Sequence, residues 1–220
     1  MDEATSIELE VGRLLFAQAC DFVMGVRTEV DLPPVELPEV AFAGRSNVGK
    51  SSLLNALTNR RTLARTSNTP GRTREVNFFR LGERLMLVDL PGYGYARAGK
   101  EEIARWNELI GDYLRGRGNL LRVYLLIDAR RGIGAPDRKV MELLDKAAVV
   151  YQVVLTKIDK VKPGPLGKVQ AATEAELKRH GAAYPEILAT SSKNKIGLEL
   201  LRATVATLAE EDRVSYMQGP

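Results

Sequence analysis

From Glu39 onward, short apolar runs alternate with longer amphipathic stretches. Glu39–Ala43 reads as a buried strand and Lys50–Asn59 as a helix. Glu75–Leu81 and Arg84–Val88 are strand-like, and Gly82-Glu83 between them predicts a tight hairpin turn. The pattern then alternates by type. Lys100–Arg115 reads as a helix, Leu121–Asp128 as a strand, Asp137–Lys146 as a helix and Val149–Leu155 as a strand. Leu166–His180 follows as a helix, Ile187–Thr190 as a strand and Leu198–Ala209 as a closing helix. A hairpin followed by repeated strand–helix units predicts an α/β fold. Its central sheet is mostly parallel with one antiparallel strand, and helices cover both faces.

The N-terminal segment follows a different pattern. Val11–Val23 predicts an amphipathic helix, and Leu32-Pro33-Pro34-Val35-Glu36-Leu37-Pro38 breaks regular structure. The chain therefore divides into an extension over 1–37, a single domain over 38–211 and a loosely held tail over 212–220. Its 220 residues suffice for one domain with a hydrophobic core. With 45% hydrophobic and 27% charged residues, wholesale disorder is excluded. Cys20 is the single cysteine, so no internal disulfide is possible, and a reducing, cytoplasmic setting is expected. The acidic start Met1-Asp2-Glu3 does not resemble a signal peptide, and no apolar run is long enough for a membrane helix. A net charge of +4 and a pI near 9.2 permit an RNA partner without requiring one.

Gly44-Arg45-Ser46-Asn47-Val48-Gly49-Lys50-Ser51 matches G-x-x-x-x-G-K-[ST] between a predicted strand and a predicted helix. Glycines at these places let successive N–H groups converge on phosphate oxygens, and the helix N-terminus faces the same anion. Lys50 supplies positive charge to the β- and γ-phosphates, and Ser51 a hydroxyl for Mg2+. A chance glycine-rich turn is the bland alternative, and the strand–loop–helix setting argues against it.

Further motifs follow in order, each at a predicted strand end. Asp89-Leu90-Pro91-Gly92 offers a carboxylate for Mg2+ and a backbone N–H for the γ-phosphate. Thr156-Lys157-Ile158-Asp159 offers a carboxylate for the guanine N1–H and exocyclic amine, a donor pair adenine lacks, while the Lys157 stem can cover the base. Ser191-Ser192-Lys193 offers backbone N–H groups to the guanine O6. Between the first two motifs, Thr73 is preferred over Thr69 as a further Mg2+ ligand, because it enters the next strand after a Pro-Gly turn. Each short motif alone is an ordinary loop; the ordered set points to a guanine nucleotide with Mg2+, gathered at the ends of parallel strands.

Gly44 to Leu53, Thr66-Ser67-Asn68-Thr69-Pro70-Gly71-Arg72-Thr73, Asn77-Phe78-Phe79 and Asp89-Leu90-Pro91-Gly92-Tyr93-Gly94-Tyr95-Ala96 resemble the EngB/YsxC/YihA GTPases of ribosome biogenesis. The resemblance covers roughly Glu39 to Ala209. It implies a Ras-like P-loop GTPase fold of the TrmE–Era class, a role in assembling the large ribosomal subunit, and a need in normal growth, division and septation. It places the nucleotide on Gly44–Ser51, on Gly71, Arg72, Thr73, Arg74 and Glu75, on Asp89–Gly92, on Thr156–Asp159 and on Thr190, Ser191 and Ser192. It places Mg2+ on Ser51 and Thr73. Thr156 stands where Ras-like proteins carry Asn, which removes an amide that would tie the base to the cradle and implies modest nucleotide affinity.

Hydrolysis is expected to be slow without a partner. Ras-type proteins orient the attacking water with a Gln after D-x-x-G, and Tyr93 stands there instead. Lys50 and Thr73 are the expected charge-stabilising groups. Asn47, in related TrmE-type proteins, helps hold K+, and the resemblance extends that role here; a simple loop-stabilising amide is the alternative. The loops Arg61–Thr73 and Gly92–Lys100, with Arg60, Arg61, Arg65, Arg72, Arg74, Arg97 and Lys100 in and beside them, are expected to respond to the γ-phosphate and to meet rRNA phosphates. A plain solvated face is the alternative. Tyr93 and Tyr95 either stack on bases or pack against the body. The protein is expected to be monomeric off the ribosome. Two other readings remain: a nucleotide-gated ribosome-binding module in which hydrolysis is incidental, and an ATP-using P-loop kinase, against which Asp159 argues.

Overall fold

The computed structural model describes residues 4–28, 31–60, 62–63, 75–94 and 100–218, with backbone alone over 100–107 and 213–218. The elements in chain order are α1 (Ser6–Phe16), β1 (Cys20–Val26), β2 (Glu39–Gly44), α2 (Lys50–Leu57), β3 (Val76–Leu81), β4 (Leu85–Asp89) and α3 (Lys100–Gly116). There follow β5 (Leu120–Asp128), α4 (Ala135–Lys146), β6 (Tyr151–Thr156), α5 (Pro163–Leu177), β7 (Leu188–Ala189) and α6 (Leu198–Gln218). The seven strands form one sheet in the order β1-β3-β4-β2-β5-β6-β7. β3 runs antiparallel to both its neighbours, while β4, β2, β5, β6 and β7 pair in parallel. The expected mostly parallel sheet with one antiparallel strand is therefore present.

Burial on both faces explains why the parallel strands are mainly apolar, and the polar side chains within them are paired, Glu39 with Arg117 and Arg122 with Gln152. In β2, Ala41 and Ala43 face a core shared with α3, α4 and α5, whereas Val40 and Phe42 face one shared with α1, α2 and α6. Among the described residues three helices lie on each face, and the C-terminal ends of the parallel strands share one rim, where the sequence motifs lie.

Two expectations are corrected. The helix predicted over Val11–Val23 is α1 over Ser6–Phe16, and Cys20–Val26 is a strand. Thr5 starts the helix early through a capping box: Glu8 N–H donates to Thr5 Oγ1 at 3.2 Å, and Thr5 N–H donates to Glu8 Oε2 at 2.6 Å. Pairing with β3 then draws Cys20–Val26 into the sheet, with a register irregularity between Phe22 and Met24. At the other end, the helix expected over Leu198–Ala209 continues as α6 to Gln218.

Candidate nucleotide site

The cradle joins the end of β2, Gly44, to the start of α2, Lys50. Its turn places Gly49 at φ +109°, a conformation that side-chain-bearing residues rarely adopt, and Asn47 at φ 65°, which Asn tolerates better than most. Val48 N–H donates to Arg45 O at 3.0 Å, and Leu53 N–H to Gly49 O at 2.9 Å. Val48 itself is buried in the α2 face of the core, so an apolar residue anchors an otherwise polar loop. Asn47 is exposed.

Lys50 Nζ donates to Asp89 Oδ1, and both side chains are nearly buried. Asp89 ends β4 beside Phe42 of β2, so strand pairing brings the second motif to the first. Three backbone bonds then lace the D-x-x-G segment to the cradle strand and loop: Leu90 N–H to Phe42 O at 3.0 Å, Tyr93 N–H to Gly44 O at 3.2 Å, and Ser46 N–H to Tyr93 O at 3.0 Å. Ser51 and Asp89 are hard oxygen donors of the kind Mg2+ takes alongside phosphate and water. Among the described residues no group of three or more His, Cys, Asp or Glu could hold a metal by itself. A divalent ion that draws much of its shell from nucleotide and water fits this donor set.

Tyr93 packs against the body. It is 7% exposed, and its phenol donates to Asp137 Oδ1 at 2.9 Å. Burial, with the Asp137 carboxylate beside it, pushes the phenol well above the usual tyrosine range. Asp137 Oδ2 accepts from Gly134 N–H at 2.8 Å, which caps α4. Asp137 was legible only as a first-turn acid of a helix; its second role depends on a partner 44 residues away.

The base loop follows β6. The Thr156 hydroxyl donates to Val48 O at 2.8 Å and so ties this loop to the cradle. Lys157 Nζ donates to Asn47 O at 2.5 Å and to Asp128 Oδ2 at 3.0 Å. Asp159 lies in a short 3-10 turn, Ile158–Lys160, and its Oδ1 accepts from the Ser191 hydroxyl at 2.7 Å. Ser191 Oγ accepts in turn from Asn194 N–H at 3.1 Å. The N–H groups of Thr190 and Ser191 are committed to Leu155 O at 2.7 Å and Ile196 O at 3.0 Å. Of the N–H groups expected to reach the guanine O6, that of Ser191 is thus already engaged.

Asp128 escaped sequence reading. Its carboxylate, at the end of β5, also accepts from Arg130 Nε at 2.9 Å and Nη2 at 2.6 Å. Glu75 is turned to β1, where Arg27 Nε donates to its Oε1 at 2.7 Å. Gly71, Arg72, Thr73 and Arg74 lie outside the described residues, as do Arg61, Arg65, Tyr95 and Arg97 and the side chain of Lys100. Arg60 is exposed.

A family profile described as MMR_HSR1, a 50S ribosome-binding GTPase, matches residues 39–157. A protein of Rhodospirillum rubrum described as "Probable GTP-binding protein EngB" is 57% identical, over 94% of this chain and 92% of its own length. One of Caulobacter vibrioides with the same description is 51% identical, over 94% of this chain and 91% of its own length. Among solved structures, a probable GTP-binding protein engB superposes with a TM-score of 0.61 at 24% identity, covering 79% of this chain and 99% of that one. The elongation factor SelB of Methanococcus maripaludis, bound to the GTP analogue GppNHp, gives 0.57 at 20% identity, over 80% of this chain and 34% of that one. These two structures speak for the fold alone. Among the described residues no helix is long and apolar enough to cross a membrane. The rim of motifs on this sheet and the nearly full-length relatives agree: the chain belongs to the EngB family of GTP-binding proteins and is a P-loop GTPase.

Proposed function

We propose that this GTPase is a Mg2+-dependent, slowly hydrolysing switch in assembly of the large ribosomal subunit, acting in the cytoplasm as a monomer off the ribosome and needed for normal growth and division. The matching profile's description as a 50S ribosome-binding GTPase carries the ribosomal part. The large subunit or its precursor, rRNA included, is then the partner, and the mildly basic chain suits it.

Residues of the chain have separable tasks in this reading. Gly44–Ser51 cradle the phosphates, and Lys50 leaves Asp89 to meet the β- and γ-phosphates. Ser51, Asp89 and Thr73 would hold Mg2+, which neutralises charge developing on the transferred phosphoryl group. Gly92 donates its N–H to the γ-phosphate. Asp159, held by Ser191, reads the guanine N1–H and amine, and Lys157 covers the base. Gly71, Arg72 and Arg74 would border the phosphates in the loop around Thr73, whereas Glu75 is held at β1 by Arg27.

Slow turnover is supported by Tyr93. Its phenol is engaged by Asp137, so the residue after D-x-x-G does not serve as a water-orienting group. Asn47 is exposed at the cradle tip, and we propose its amide as a K+ ligand. Equal hydrolysis rates in K+ and Na+ buffers, for wild type and Asn47→Ala alike, would refute that role.

Co-sedimentation with ribosomal subunits tests the main proposal. The form bound to a non-hydrolysable GTP analogue should pellet with the large subunit, and the GDP form should release. Rising salt should weaken the interaction. Equal retention of both forms would favour a binding module in which hydrolysis is incidental, and absence of binding in either state would refute the ribosomal role.

A further inference from the structure

Lys157 sits in a costly conformation. Its backbone lies at φ 58°, in the left-handed region that a long side chain enters only when its surroundings hold it there. Backbone bonds flank it, Lys160 N–H donating to Lys157 O at 3.0 Å and Ile158 N–H to Thr190 O at 3.3 Å, and the side chain makes two further contacts. Nζ donates forward to the cradle, at Asn47 O, and sideways to Asp128 Oδ2. The stem between them passes over the cradle: a Cβ on Gly49 would stand 3.4 Å from Lys157 Cε.

Asp128 is placed for this by strand pairing, since it stands opposite Thr156 at the ends of β5 and β6. It is itself fixed. Arg130 closes on both carboxylate oxygens and adds its backbone N–H to Oδ1 at 3.1 Å. The Asp128 side chain is 10% exposed and that of Lys157 23%, so the pair is only partly screened by solvent.

We propose that Asp128 is a positioning residue for guanine-nucleotide binding: it fixes the Lys157 ammonium against the cradle so that the lysine stem is already laid out as a platform for the base. The inference rests on the reading of Lys157 as the residue that covers the base. An unrestrained lysine has a flexible four-carbon stem and must lose that freedom when the base arrives. Asp128 imposes the loss beforehand, and preorganisation of this kind appears as affinity. Arg130 aims the carboxylate, and the Asn47 carbonyl sets the far end of the platform.

A double-mutant cycle read by titration with fluorescent GDP tests this. Asp128→Asn keeps the shape and removes the charge. It should raise the GDP dissociation constant about tenfold, within the range of couplings between residues in direct contact. Lys157→Met should also weaken binding, and adding Asp128→Asn to it should cost nothing further. A merely structural Asp128 would cost the same in both backgrounds, and that result, or unchanged affinity in Asp128→Asn alone, overturns the proposal. If Lys157→Met itself leaves affinity unchanged, the reading of Lys157 at the base falls and takes this inference with it. If Asp128→Asn does not fold, Arg130→Gln serves, since its guanidinium is at the surface. A loss that vanishes in the Lys157→Met background supports the proposal, and no loss refutes it.

Discussion

Thr156 shows how much a single hydroxyl can hold together. Its hydroxyl reaches Val48 O at 2.8 Å and lies 3.3 Å from Ile127 O, joining the base loop, the cradle and β5. Thr156→Val keeps the shape and strips the donor from a buried carbonyl, so it should cost about 1–2 kcal/mol in urea unfolding. Weaker GDP binding should accompany it; wild-type stability and affinity together would show the tie to be idle. Asp128 adds a pH dependence. Burial alone would raise its carboxyl pKa, but hydrogen bonds from Arg130 and Lys157 outweigh burial and hold it well below the usual carboxylate range. A carboxyl depressed in the folded state contributes stability above its unfolded pKa, near 4, and loses it as pH falls below that. Asp128→Asn should therefore lose less stability than wild type between pH 6 and pH 3, followed by urea midpoints. Thr156 and Asp159 were legible because their motif is contiguous. Asp128 was not, because its partner Lys157 is 29 residues away and only the pairing of β5 with β6 joins them.

At the scale of elements, the strand–helix alternation was legible wherever burial on two faces made the strands mainly apolar. The amino-terminal stretch was not. Val11–Val23 has helical spacing, yet Cys20–Val26 gains its strand hydrogen bonds only from β3, fifty or more residues later. The Thr5-x-x-Glu8 capping box was the local signal for where α1 begins. Helix α1 then packs on α6 at unusually close range: a Cβ on Gly12 would lie 2.5 Å from Ala203 N and 2.7 Å from Arg202 C. Backbone atoms cannot swing aside as a side-chain tip can. Gly12→Leu should consequently force the two helices apart and lower stability by about 2–3 kcal/mol, seen as an earlier thermal midpoint. A midpoint equal to wild type would mean that the contact tolerates bulk. Nucleotide affinity is the useful second readout, because α1 contributes no group to the rim and should leave it nearly unchanged.

The whole molecule separates charge used for stability from charge used for binding along the length of β2. At its C-terminal end the strand opens into the cradle. At its N-terminal end Glu39 is fully buried, accepting from Tyr113 Oη at 2.9 Å and from Arg117 Nε at 3.1 Å, and Arg117 Nη1 donates to Pro33 O at 2.6 Å. Removing one partner of a buried pair leaves the other charge without compensation, so Arg117→Met should cost about 3–5 kcal/mol. The rim should feel little of this. A ligand that binds only the folded chain adds stability set by its concentration relative to Kd, about 2.7 kcal/mol at a hundredfold excess. GDP with Mg2+, at one fixed concentration for both proteins, should therefore raise wild type and Arg117→Met by the same increment from different baselines. ATP at the same concentrations should raise neither, because adenine cannot offer Asp159 the donor pair it requires. Asp159→Ala should abolish the guanine increment while leaving the apo baseline close to wild type, since the Ser191–Asp159 contact is only part-buried. Stabilisation by ATP equal to that by GDP would contradict the guanine reading of this rim, and an increment lost in Arg117→Met would show that the two ends of β2 are coupled rather than separate.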